Sequence, residues 1–102
     1  MFQGAAEVSM DAKGRLSVPA KHRDALLAGG HSLVLAAHPD SCLLLYPRAA
    51  YDPIAAQLQT LSAFNEHARW WQRLVIGMAE PLELDAQGRF LISPTLRKFA
   101  SL

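Results

Sequence analysis

Two stretches decide the reading of this chain: Asp11-Ala12-Lys13-Gly14-Arg15 near its start and Asp85-Ala86-Gln87-Gly88-Arg89 near its end. They lie 74 residues apart, and the match continues without a gap. Leu16-Ser17-Val18 falls on Phe90-Leu91-Ile92, and Arg23 falls on Arg97. Five identities within thirteen positions mark an internal repeat. The prolines miss by one: Pro19 falls on Ser93, and Pro94 follows. A unit of about 75 residues is implied. Residues 1–76 form the first unit with its trailing helices, and residues 77–102 start a second that is incomplete.

Each copy reads as a tight hairpin. In the first, residues 6–10 are a strand, 11–14 a turn and 15–18 the return strand. The stretch from Glu83 to Arg89 repeats the chemistry. Asp11 and Asp85, first in their turns, accept a hydrogen bond from the backbone N–H two residues on. Gly14 and Gly88, fourth in the loop, suit a type I turn closed by a residue at positive φ.

Working outward, Pro19 stops the return strand and starts a helix over 20–27, which Gly29-Gly30 ends. Residues 33–36 and 42–46 are apolar runs of strand length, joined by a turn over 38–41. Asp52-Pro53 reads as an N-cap plus first-position proline, opening a helix with Ile54, Leu58 and Leu61 on one face. A second helix from about Asn65 carries the stripe Phe64, Ala68, Trp71, Val75. Trp71 is placed in the core, while Trp70 with Leu74 faces out or toward another subunit. The class is α+β.

Composition narrows the function. The 102 residues are 51% hydrophobic and 19% charged, which excludes a disordered chain. A single cysteine excludes a disulfide framework and a multi-cysteine zinc site, and Cys42 reads as a small core residue. No run reaches the ~18 apolar residues a spanning helix needs. The N-terminus has no basic head before an apolar run, so no secretory signal is read and the cytoplasm is the expected compartment. His22, His31, His38 and His67 show no paired ligand spacing, so no metal site is expected. There is no phosphate loop and no nucleophile elbow. Glu80, Glu83 and Asp85 are spaced as a strand and its turn. The sequence predicts no catalytic residue, no cofactor and no small-molecule substrate.

The net charge is only +1, yet Lys13, Arg15, Lys21 and Arg23, opposed by Asp11 alone, put +3 into residues 11–23. Turn chemistry accounts for Asp11, Gly14, Asp85 and Gly88 but demands neither Lys13 nor Arg15. A two-stranded ribbon fits the DNA major groove, and an arginine pairs with a guanine edge or a phosphate. Lys21 and Arg23 behind the tip would reach flanking phosphates. The plain alternative is a solvated hairpin with Arg15 paired to Asp11. In the second copy Gln87 replaces the lysine, so Arg89 is its main contact.

The sequence resembles the MraZ family of bacterial DNA-binding regulators in the AbrB/SpoVT superfamily. The residues that carry it are Met1-Phe2-x-Gly4, Asp11-x-Lys13-Gly14-Arg15-Leu16-x-Val18-Pro19-Ala20-Lys21-x-Arg23, Cys42-Leu43-x-Leu45-Tyr46-Pro47 and Leu84-Asp85-x-Gln87-Gly88-Arg89-x-Leu91-Ile92. Ser93 stands where the family usually has a proline. The resemblance implies a swapped-hairpin β-barrel with flanking helices, two units per chain, and assembly into a ring. It also implies repression from direct repeats in double-stranded DNA upstream of the division and cell-wall gene cluster, hence a place at the nucleoid; no membrane partner is expected, since no apolar run is long enough to span one. The family's DNA contacts fall on Lys13, Gly14 and Arg15, and on Gln87, Gly88 and Arg89. The alternative within the superfamily is an antitoxin-like module that holds a partner protein.

Overall fold

The computed structural model describes residues 14–62 and 64–102. Asp11, Lys13 and the outer strand expected over residues 6–10 lie outside the described residues. The described elements run β1 (Arg15–Ser17), α1 (Ala20–Leu27), β2 (Leu33–Ala37), β3 (Leu43–Pro47), α2 (Arg48–Gln59), α3 (Glu66–Trp71), β4 (Glu80–Leu82), β5 (Arg89–Leu91) and α4 (Pro94–Phe99). Between α3 and β4 the helix continues as one π-helical turn, Gln72–Ile76.

The class is α+β, with two small antiparallel sheets. One pairs β1 with β5, and the other has the order β3-β2-β4. Neither closes into a barrel among the described residues. All five residues of β2 are buried, because the strand is central and both its faces are covered. The period-2 alternation of a strand sends Leu33, Leu35 and Ala37 into one core and Val34 and Ala36 into another. The larger core joins Leu16 and Val18 of the first repeat to Phe90, Ile92 and Leu96 of the second. The smaller one seats α2 and the π-turn on the opposite face, through Tyr46, Tyr51 and Val75.

Several expectations need correction. The second repeat forms its turn but not a simple hairpin. Its incoming arm, β4, pairs with β2, while its return arm, β5, pairs with β1. Pro81, which has no N–H to donate, fits β4 as an edge strand. Helix α2 starts at Arg48, so Pro53 lies inside it and Asp52 is no N-cap. The start moves back because Pro47, at φ −58°, already turns the chain. The Arg48 N–H then donates to Ser32 O at 3.0 Å, and the buried Tyr51 hydroxyl donates to Val75 O at 2.8 Å. Tertiary anchors override a local start signal. Leu61 lies past the helix end and is exposed.

The aromatic stripe is also redistributed. Phe64 is 97% exposed and Trp71 41%, whereas Leu74 is buried. The π-turn, closed by Gly77 N–H to Gln72 O at 3.1 Å, swings Leu74 and Val75 together into the cores. Trp71 instead stands edge-on to the His38 ring, 5.8 Å away at 90°. Cys42 is half-buried at the β2–β3 turn rather than in the core. Its thiol donates to Asp40 Oδ1 at 2.9 Å, and burial with that carboxylate pushes it up to about 11, which removes it as a nucleophile.

Candidate nucleic-acid interface

The β1–β5 ribbon is where the two repeats meet. Leu16 lies directly opposite Phe90, its own equivalent in the other copy. Around that pair the register is reciprocal: Arg15 faces Leu91, and Ser17 faces Arg89. The flanking hydrogen bonds repeat the symmetry. Val18 N–H donates to Gly88 O at 2.9 Å, and Ile92 N–H donates to Gly14 O at 3.5 Å. Alternation along each strand turns Leu16 and Phe90 inward. Arg15, Ser17, Arg89 and Leu91 therefore share the outer face. Two guanidinium-bearing residues thus stand on a diagonal across one two-stranded ribbon, each the first residue of its strand.

The second turn follows the sequence reading. Asp85 Oδ1 accepts from Gln87 N–H and from Arg89 N–H, both at 2.9 Å. Gly88 N–H closes onto Asp85 O at 3.0 Å, and Asp85 N–H onto Arg89 O at 2.8 Å. Gly88 has φ +75° and Gly14 φ +79°, the left-handed region that glycine adopts without a steric penalty. The Arg89 Nε donates to Asp85 Oδ2 at 3.0 Å, and its Nη2 to Gln87 Oε1 at 3.3 Å. Backbone N–H donation, above all from Arg89, holds the Asp85 carboxyl below the usual aspartate range. Arg89 is thus presented by its own turn.

The flanking helices start at equivalent positions by different means. Ahead of α1, Pro19 sits at the N-cap in an extended conformation without a side-chain cap. Ahead of α4, Ser93 Oγ accepts from Leu96 N–H at 3.2 Å and Pro94 follows at the first turn. The same hydroxyl donates to Glu80 Oε2 at 2.7 Å, tying α4 to β4. A serine cap therefore replaces the proline stop.

Of the expected contacts, Gly14, Arg15, Gln87, Gly88 and Arg89 come together at the ribbon. Lys21 is exposed on α1. Arg23 points back into the fold: its Nε donates to Val18 O at 2.9 Å. Sequence reasoning passed over Arg97, whose guanidinium lies over Gly14. The repeat itself carried the signal, since Arg97 is the equivalent of Arg23. Among the described residues no group of three or more His, Cys, Asp or Glu could hold a metal. No helix there is long and apolar enough to cross a membrane.

These features define a small α+β protein whose two Asp-x-x-Gly-Arg sequences lead into strands joined across one ribbon with an outward arginine face. The family described as "MraZ protein, putative antitoxin-like" matches residues 1–74. A transcriptional regulator MraZ of Methylobacillus flagellatus is 56% identical over 101 residues, covering 98% of this chain and 68% of the relative. Those of Dechloromonas aromatica and Aromatoleum aromaticum are 52% and 47% identical, over 98% and 100% of this chain and 68% and 69% of theirs. The chain belongs to the MraZ family. These relatives are named as regulators of transcription, not as enzymes, in line with the absence of a catalytic constellation in the sequence.

Proposed function

We propose that this protein is a sequence-specific DNA-binding regulator of transcription, a repressor that reads short direct repeats with its two turn tips in the major groove. One observation carries the reading: the outer face of the β1–β5 ribbon presents Arg15 and Arg89 together, on a scaffold of the width the groove accepts. The first tip reads through Gly14 and Arg15, with Lys13 preceding them in sequence as a further cationic contact, and the second through Gln87, Gly88 and Arg89. Lys21, exposed on α1, supplies a flanking phosphate contact. The targets are repeats upstream of the division and cell-wall gene cluster, which places the protein at the nucleoid.

The exchange of arms between repeats supports a swapped-hairpin barrel made by the unit of residues 1–76 and the unit begun at 77–102. One ribbon makes few contacts, so binding strength comes from several copies of the chain in a closed ring engaging successive repeats. Exposed Phe64, Trp70 and Trp71 support contact between subunits, since large apolar side chains left in water mark an interface. The same exposed side chains support a second reading, capture of a partner protein in the antitoxin manner.

The test is a gel shift at several salt concentrations, on duplexes with and without short direct repeats, alongside mass measurement by light scattering. Tighter binding to repeats, weakened steeply by salt, by a particle of several chains is the expected result. Binding that ignores the repeats overturns sequence-specific recognition. A monomer that binds them fully removes the ring. No binding to either duplex, with a stable complex to a partner protein, selects the second reading.

A further inference from the structure

The two tip glycines, Gly14 and Gly88, are buried, although each adjoins the exposed ribbon face. Close to where a side chain would stand on each lies a guanidinium from the other repeat. A Cβ placed on Gly14 would stand 2.9 Å from Arg97 Nη1 and 3.4 Å from its Cζ. A Cβ placed on Gly88 would overlap the Arg23 guanidinium outright. Arg23 and Arg97 are equivalent residues, as are Gly14 and Gly88, so the covering is reciprocal. Each contact is backed by a hydrogen bond across the same junction. On the Gly88 side, Val18 donates to Gly88 O while its own carbonyl accepts from Arg23 Nε. On the Gly14 side, Ile92 donates to Gly14 O. Glycine is thus required at each tip by its positive φ, and the guanidinium resting on it is the group an added Cβ would have to displace.

We infer that Arg23 and Arg97 are positioning residues that act crosswise: Arg97 fixes the first tip and Arg23 the second. This rests on the DNA-binding reading, and it assigns Arg23 to the fold of the site instead of to a phosphate. Turn hydrogen bonds shape the second tip, but a glycine has no side chain through which the neighbouring helix could hold it, so the guanidinium laid on it sets how the tip sits against that helix. The flat guanidinium pins it, and a flexible ammonium has neither the plane nor the fork to do the same. The two repeats then make one reading unit, because each tip is completed by a helix of the other.

Two measurements on the full chain test this. In DNA titrations with a direct-repeat duplex, Arg97→Ala is expected to weaken binding about tenfold. Its log–log salt slope should stay at the wild-type value, whereas loss of a phosphate contact flattens it by about 0.9. Arg97→Ala should add little to Arg15→Ala but act in full on top of Arg89→Ala. Arg23→Ala should show the reverse pattern. Arg97→Lys should not restore the loss; restoration by lysine, or a flattened slope, overturns positioning in favour of plain charge. The second measurement needs no DNA. In denaturation midpoints, Gly88→Ala should be less than additive with Arg23→Ala and additive with Arg97→Ala, and Gly14→Ala the opposite. Uncrossed or absent coupling overturns the inference. If wild-type protein binds no duplex, the DNA reading fails, and the denaturation cycles alone decide the crosswise placement.

Discussion

The first and second repeats share one ribbon and a left-handed glycine at its edge, yet they differ in almost everything around it. Leu16 and Phe90 meet at equivalent positions, and Gly14 and Gly88 have φ within a few degrees of each other. The helices behind them diverge. Helix α1 buries Leu26 near its end, whereas α4 buries Leu96 in its first turn. Pro19 begins one and a serine cap the other. Lys13 becomes Gln87. The difference separates two kinds of requirement. Pairing across the junction is fixed by geometry that both copies must satisfy. Helix starts and surface charge have several physical solutions, so each copy keeps its own.

The largest test breaks the shared centre. Phe90→Ala should cost about 3–5 kcal/mol by chemical denaturation, because it empties the inner face of the ribbon. Leu16→Ala, at the mirror position, should cost a similar or slightly smaller amount. A loss confined to one of them would mean that the repeats do not depend equally on the junction. Next come the tips. Valine at position 14 or 88 forces a β-branched side chain into the left-handed region, at about 1–3 kcal/mol before any collision. Gly88→Val should be the worse, since Arg23 overlaps the new Cβ more deeply than Arg97 does at Gly14. Equal midpoints for the two variants would remove that distinction.

In DNA binding, Arg15→Ala should lose about 1–3 kcal/mol per engaged tip. Arg89→Ala should lose less, because Gln87 leaves its tip one cation poorer than the first. Equal losses would give the substitution no functional weight. Smaller still is Ser93→Ala, expected to cost about 1 kcal/mol through loss of the cap, with the melting temperature as readout. No change would show that Pro94 alone sets the start of α4. The smallest effect is acid sensitivity of the second tip. Hydrogen bonds hold the folded Asp85 carboxyl below its unfolded value. Its contribution is therefore present above about pH 4 and disappears as pH falls through the depressed folded value. Chemical shifts of the Gln87 and Arg89 amides followed through that range should report it, and Asp85→Asn should abolish the titration.

What the sequence made legible was local. The bounds of α1 follow from Pro19 and the Gly29-Gly30 pair, which act on their immediate neighbours. The Asp85 turn follows from one carboxylate reaching two backbone N–H groups within four residues. What stayed hidden depends on distant partners. Nothing near Pro47 announces that Tyr51 will bond Val75 across 24 residues and pull the start of α2 back. A helical period cannot anticipate a π-turn, so Trp71 and Leu74 exchanged their expected places. At the site, residue types and spacing pointed to the tip residues. Arg23 looked like a phosphate contact because its charge is visible in sequence and its partner, a glycine in the other repeat, is not.

The separation of β1 from β5 also sets a timetable. During synthesis at about 5–20 residues per second, Phe90 follows Leu16 after on the order of 4–15 s. The strand pairing of β2, β3 and β4 needs no residue beyond Leu82 and can form on the ribosome first, before Phe90, Ile92 and Leu96 complete the core on its other face. Closing so long a loop costs only slightly more entropy than closing one half its length, so delay and not stability is the burden of this topology. Until β5 emerges, the apolar side of β1 lacks its Phe90 cover, and the nascent chain carries an adhesive strip that the finished protein hides.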